Sequence, residues 1–223
     1  MPTPFFRLPA FGIASLCGFF LNATTSQAIL IDTQALAHSL ISPFGEFGVS
    51  TYGQTVTVPL NETVLESFSF KLDRCFNLVT FAAYVAAWDG AKATGPILYS
   101  SEARQTGSTG HAEEFKFTTG GLPLAPGSQY VLILSASNFF NGVQDISSLV
   151  ISNFESYPGG NLVSLQNGSD FALLTDRRWT VFPYDAGFTA DFSSSVPEPT
   201  QSLVGICLLS VASISRRRQR GKN

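Results

Sequence analysis

Hydrophobic and polar residues alternate along several stretches in the middle of the chain. Residues 64–72 put Phe68, Phe70 and Leu72 on one face, with polar side chains at intervening positions. Residues 112–118 alternate Phe115 and Phe117 with charged neighbours. Side chains point to opposite faces of a β-strand with a period of two. This pattern predicts strands that bury one face and expose the other.

Other segments are apolar at nearly every position. Residues 77–88 suit a strand buried on both sides or a pair of strands, and residues 129–136 suit a core strand. Glycine- and proline-containing turn signals separate these runs from further short candidates. Those further candidates are residues 55–60, 96–100, 148–152, 162–166, 171–174 and 187–192.

About ten short strands and no convincing helical period predict an all-β, two-sheet β-sandwich of the jelly-roll kind, with a barrel as the alternative. The predicted domain covers residues 29–195.

Residues 1–28 have the layout of a secretory signal peptide. Arg7 supplies the positive charge, residues 8–21 are mostly apolar, and Ser26 and Ala28 occupy the −3 and −1 positions of a cleavage site. We expect a signal helix that is removed on export. The alternative is a buried N-terminal helix.

The C-terminal 28 residues, 196–223, contain three features in order. An uncharged segment, residues 200–215, is long enough to span a membrane only marginally. A cluster of arginines follows and marks the cytoplasmic side. A short transmembrane helix is therefore predicted, with a C-terminal core helix as the alternative. The motif that precedes the helix is Val196, Pro197, Glu198 and Pro199, and the arginines are Arg216, Arg217, Arg218 and Arg220.

This order of motif, apolar segment and arginine cluster resembles the PEP-CTERM sorting signal. The resemblance implies that an exosortase recognises residues 196–199 and that the arginine cluster retains the tail inside. It also implies a protein of a Gram-negative-type bacterium that is held briefly in the inner membrane and then reaches the cell surface or the extracellular space.

Segments of the body also resemble exported PEP-CTERM proteins and jelly-roll modules of the carbohydrate-binding type. They are residues 81–88, 121–135, 157–160 and 185–192. This resemblance concerns fold more than function.

Charge is scarce and unevenly distributed. Charged residues make up 13% of the chain, and its formal net charge is −3. Residues 32–198 contain seven basic and sixteen acidic residues, a net charge of −9. Without a basic excess to contact phosphates, a nucleic-acid partner is excluded.

The body offers little catalytic chemistry. His38 and His111 are its two histidines, and neither belongs to a catalytic motif. We therefore expect no enzyme, cofactor or metal. An extracellular hydrolase that uses Asp185 or Asp145 is an alternative. The oxygen-rich loops around Asn141 and Asn167 lack the dense aspartate spacing of a calcium loop.

Aromatic residues are the remaining candidates for a binding site. Trp179 and Tyr184 lie in a segment that mixes arginine, aspartate and proline, and their rings could form a platform for a sugar. Core packing is the alternative that we favour for Trp179. The predicted function is an exported surface or matrix protein with a structural or adhesive role in exopolysaccharide, and a carbohydrate-binding module is the first alternative.

Overall fold

The computed structural model describes residues 28–76, 78–107 and 111–194. Nearly all of its regular structure is β-strand, arranged in two antiparallel sheets. Within these residues the helical elements are two short 3-10 turns, Gln34–Leu36 and Ser137–Phe139, and one helical turn, α1 (Leu173–Asp176). The strands are β1 (Ala28–Asp32), β2 (Ser39–Phe44), β3 (Thr51–Thr57), β4 (Val64–Phe76), β5 (Thr80–Trp88), β6 (Ala93–Ser100), β7 (Arg104–Gln105), β8 (Glu113–Pro123), β9 (Gln129–Ser135), β10 (Ile146–Ile151), β11 (Leu162–Leu165), β12 (Thr180–Val181) and β13 (Phe188–Ser193).

The first sheet is organised around β4, its longest strand. Its order is β1-β13-β4-β10-β2, and β8 pairs with the other edge of β4. The second sheet has the order β12-β11-β3-β9-β5-β6, with β7 paired to β5. Two separate sheets make a sandwich and exclude the barrel alternative.

A central core fills the space between the two sheets. Alternation along β4 and β13 turns Phe68, Phe70 and Phe188 into this core, where all three are fully buried. Phe68 packs edge-on against Phe70, with 6.2 Å between ring centroids, and lies 5.3 Å from Phe117 of β8. Burial of these large rings supplies much of the hydrophobic stabilisation of the sandwich.

The second sheet has an additional outer core on its other face. Tyr84, Ile133 and Val163 lie on the face of this sheet that points away from the central core, and they are nevertheless buried. Leu174 and Trp179 belong to the same cluster and come from the irregular segment 166–181. We call this segment the cover, because it buries a face that would otherwise meet solvent.

Most of the sequence-based strands are confirmed within a few residues, including residues 77–88, of which 80–88 form one strand buried on both faces. Residues 171–174 were wrongly predicted as a strand. They form a turn and the start of α1, because Asp170 Oδ1 accepts a hydrogen bond from Ala172 N at 3.0 Å and Leu174 packs down onto the sheet. The strands β1 and β2 were not predicted.

The two ends of the described body lie side by side. In the pairing of β1 with β13, Ala28 is opposite Ser193 and Asp32 is opposite Thr189. We call the end of the sandwich at Ala28 and Ser193 the terminal corner. The predicted signal helix, the motif 196–199, the segment 200–215 and the arginine cluster lie outside the described residues. Within the described part of the chain, no helix has the length and apolar character needed to cross a membrane.

Candidate functional site

A groove of about 360 Å³ lies along one side of the sandwich. It is formed where β7, on the edge of the second sheet, approaches β8, on the edge of the first. The residues that line this edge groove include Arg104, Gln105, Glu113, Glu114, Phe115 and Lys116.

Phe115, a residue of the central core, forms the floor of the edge groove. Phe115 is only 9% exposed, and its ring packs edge-on against Phe81 of β5 with 5.1 Å between centroids. The same β5 residue is opposite Arg104 of β7. The floor therefore packs against the core of the sandwich, whereas the charged residues of the groove are exposed to solvent.

Hydrogen bonds hold three polar side chains of the groove in place. Glu113 Oε2 accepts a hydrogen bond from Gly107 N at 3.2 Å, and a Cβ atom at residue 107 would overlap this oxygen. Glu114 Oε1 accepts a hydrogen bond from Gln34 Nε2 at 3.1 Å. Gln105 Nε2 donates to Thr80 Oγ1 at 3.4 Å. Carboxylates accept several hydrogen bonds each, so both retain capacity for a ligand.

Trp179, the predicted platform, is a packing residue. Its side chain is 6% exposed in the outer core, and its Nε1–H donates to the carbonyl of Leu174 at 2.9 Å. Its ring meets Trp88 edge-on at 5.9 Å. A Cβ at Gly53 would lie 3.3 Å from its Cζ3 atom, so the backbone of β3 passes close beside the ring. The structure therefore places the Trp179 ring within the outer core, where little of it is exposed to solvent.

Tyr184 is half-buried in a different part of the molecule. It packs against the central core together with Phe182, with 5.3 Å between ring centroids and 33° between the planes. Its carbonyl accepts a hydrogen bond from Leu162 N at 2.9 Å. Because Trp179 belongs to the outer core, the two predicted aromatics do not form one platform.

Asp185, one carboxylate of the hydrolase alternative, is fully buried. Its Oδ1 accepts from Gln54 Nε2 at 2.9 Å, and its Oδ2 accepts from the backbone N–H groups of Ser156 and Tyr157 at 2.7 and 2.8 Å. His38 and His111 are exposed. The hydroxyl of Ser156 also donates to Asp185 Oδ2, at 3.1 Å, and the carboxylate thus anchors the 152–157 loop to β3.

Asp145, the other carboxylate, lies near Glu46 at one end of the sandwich. Glu46 accepts hydrogen bonds from the backbone N–H groups of Asn141 and Gly142 at 2.7 and 2.9 Å. Burial, and then the charge of Glu46, raise the pKa of Asp145 above its ordinary value. The cavity that both residues line measures about 10 Å³, room for a single water molecule.

The loop at Asn167 uses its oxygens internally. Asn167 Oδ1 accepts hydrogen bonds from the hydroxyls of Ser50 and Thr51 at 2.7 and 2.8 Å, and its Nδ2 donates to the carbonyl of Asp170. The hydroxyl of Ser169 lies on an exposed residue. Across the described ranges, no group of three His, Cys, Asp or Glu residues is placed to hold a metal ion.

No known protein family and no curated protein sequence matches the chain. A solved structure that it resembles contains the cysteine protease and lectin-like domains of Cwp84, a surface layer associated protein of Clostridium difficile. The similarity has a TM-score of 0.45 at 15% sequence identity and covers 65% of this chain. The chain spans 32% of that protein's length.

The edge groove was not foreseen from the sequence. Alternation in residues 112–118 indicates that Glu114 and Lys116 face solvent, but it does not show which element lies beside them. The partner, β7, is only two residues long and has no periodic signal of its own.

Proposed function

We propose that the chain is an exported, exosortase-sorted protein of the cell surface or extracellular matrix, with a structural or adhesive role in exopolysaccharide. In this proposal residues 1–28 are a signal helix and residues 196–223 are a sorting signal with a short transmembrane helix. Residues 29–195 form a jelly-roll-like sandwich that is delivered to the outside.

The observation that carries the proposal is the terminal corner. Because Ala28 is opposite Ser193, both predicted membrane segments connect to the body at one end of the first sheet. A body attached in this way can fold completely on one side of a membrane while its tail is still inserted. The rest of its surface then remains available for contact with the matrix.

The sorting motif provides the test. Changing Pro197, Glu198 and Pro199 together to Ala should retain the protein in the inner membrane, because residues 200–215 stay inserted and the arginine cluster is costly to transfer. Cell fractionation and immunoblotting measure this retention.

The matched control is Pro96→Ala combined with Glu102→Ala, two exposed positions of the body. The control should be released like the wild type. Unchanged release of the motif variant would show that residues 197–199 are not a sorting signal.

The carbohydrate-binding alternative is supported by the edge groove rather than by the aromatics. Sugar-binding sites combine hydrogen-bonding side chains with an apolar surface, and the groove has both. This alternative is compatible with the adhesive role, since a matrix protein must contact polysaccharide through some part of its surface.

A further inference from the structure

The edge groove lies far from the terminal corner. Val64 of β4 is opposite Ser193 in one neighbour and Pro123 in the other, whereas Leu72 of β4 is opposite Glu113. Eight residues separate these positions along the strand, which corresponds to about 26 Å at 3.3 Å per residue. In a body attached at its terminal corner, the groove therefore lies about 26 Å along β4 from the point of attachment.

The charges of the groove balance. Arg104 and Lys116 contribute two positive charges, and Glu113 and Glu114 contribute two negative charges. A site for a phosphate or an acidic polymer needs a positive excess, and a site for a metal cation needs a negative excess. A balanced set of donors and acceptors suits an uncharged ligand that carries many hydroxyl groups.

The groove is also organised before a ligand arrives. Gly107 N and Gln34 Nε2 each donate a hydrogen bond to one of the two carboxylates, and the packed floor at Phe115 offers a small apolar surface. Its volume is near the lower end of the roughly 300–1,000 Å³ of small-molecule sites. A short stretch of a polymer would fit, with the chain continuing into solvent at both ends.

We propose that the edge groove binds a short segment of uncharged polysaccharide through Arg104, Gln105, Glu113, Glu114 and Lys116. Guanidinium, amide and carboxylate groups are well suited to sugar hydroxyl pairs, because each presents two hydrogen-bonding atoms in one plane. This inference rests on the proposed function, because it assigns the contact between the body and the matrix to the edge groove.

Binding is measured with the full chain, purified in detergent, on immobilised dextran, mannan, galactan and xylan, with alginate as an acidic polymer. We expect retention on at least one neutral polymer and little dependence on salt. Retention on alginate alone, lost at high salt, would overturn the proposal, as would retention on none of the polymers.

Two variants locate the site. Arg104→Ala and Glu114→Gln should each weaken binding to the neutral polymer by about 10-fold, and together by about 100-fold, because each removes a hydrogen bond made by a charged group. The controls, Arg177→Ala and Glu155→Gln, change exposed residues outside the groove and should bind like the wild type. Equal binding by all four variants would show that the edge groove is not the binding site.

Gly107→Ala tests the positioning of Glu113. The added methyl group displaces only the end of a flexible side chain, so the thermal unfolding temperature should hold while binding weakens. All groove variants should still be sorted normally, whereas the variant at residues 197–199 should bind the polymer and fail in release. These opposite outcomes separate a failure of the groove from a failure of the sorting proposal.

Discussion

The two hydrophobic cores lie on opposite faces of the second sheet and are built in different ways. The central core joins two sheets, and alternating strands supply both of its walls. The outer core has a sheet for one wall and the irregular cover, residues 166–181, for the other. The central core thus depends on the whole fold, whereas the outer core depends on the cover remaining packed against the second sheet.

Polar contacts at both ends hold the cover. At its start, Asn167 bonds to Ser50 and Thr51 of the second sheet. Near its end, Trp179 N donates to Ala91 O at 3.0 Å, and β12 pairs with β11. A segment held in this way can open locally while the sandwich remains folded. The comparison therefore predicts a global response to damage in the central core and a local response in the outer core.

The largest effect is expected from Phe68→Ala. Phe68 is fully buried among aromatic rings of both sheets, so its removal should lower the free energy of unfolding by about 3–5 kcal/mol. Chemical denaturation measures this loss, and hydrogen exchange should accelerate throughout the body. Phe154→Ala, at a side chain 53% exposed, is the control and should change stability by less than about 0.5 kcal/mol.

Trp179→Ala should cost somewhat less, about 3 kcal/mol, the lower end of the range for a buried aromatic. Its distinguishing result is the pattern of hydrogen exchange, with protection lost in residues 163–181 and largely kept in β4 and β13. Exposed Val181→Ala serves as the control. Uniform loss of protection would show that the two cores unfold as one unit.

Asn167→Ala should lower the free energy of unfolding by about 1–3 kcal/mol, because the hydroxyls of Ser50 and Thr51 lose a buried acceptor. We expect proteolysis within the cover to accelerate, which limited digestion and mass spectrometry would detect. The neighbouring change Ser169→Ala, at an exposed side chain, should leave digestion unaltered. Equal rates of digestion in both variants would show that Asn167 does not anchor the cover.

The smallest effect concerns alkaline pH and compares one tyrosine from each core. Burial raises the pKa of Tyr52 in the central core from 10.0 to about 12, and it also raises the pKa of Tyr84 in the outer core. Between pH 10 and 12 the unfolded chain loses the Tyr52 proton while the folded chain keeps it, so stability falls as the pH rises. Below pH 10 both states keep the Tyr52 proton, so the stability is fully retained there and does not depend on the ionisation of Tyr52.

Tyr52→Phe should therefore flatten the decline in unfolding free energy above pH 10, and Tyr84→Phe should flatten it as well. Denaturant titrations at pH 9 and pH 11 measure both slopes. The opposite sign, with Tyr52→Phe steepening the decline, would contradict the burial of the hydroxyl.

Sequence patterns predicted the central core better than the rest of the molecule. The alternation of apolar and polar residues in β4 and β8 indicates strands with one buried face. The continuous apolar run of β5 indicates a strand that is buried on both faces. The same run implied a cover for the second sheet but not its identity. The prediction of a strand at residues 171–174 is wrong because a local turn and the packing of Leu174 determine the conformation of this segment, whereas its apolar pattern does not.

The elements that could not be predicted depend on pairing between strands that are far apart in the sequence. The short strands β1 and β2 are stabilised by β13 and β10, more than 100 residues away, and Pro43 weakens the strand signal of β2. The edge groove likewise depends on how two sheet edges meet. Its charged residues lie on an alternating strand and on a two-residue strand, and neither carries a signal for a ligand.

The pairing of β1 with β13 also constrains the order of folding. The first strand of the body can pair only after residues 188–193 are available, because β13 is the neighbour that joins it to the first sheet. A chain that crosses a membrane from its N-terminus must therefore keep β1 unpaired until almost the whole body has emerged. Contacts this distant in sequence also slow folding. If the chain is exported as proposed, residues 28–32 are the strand that waits longest for its partner.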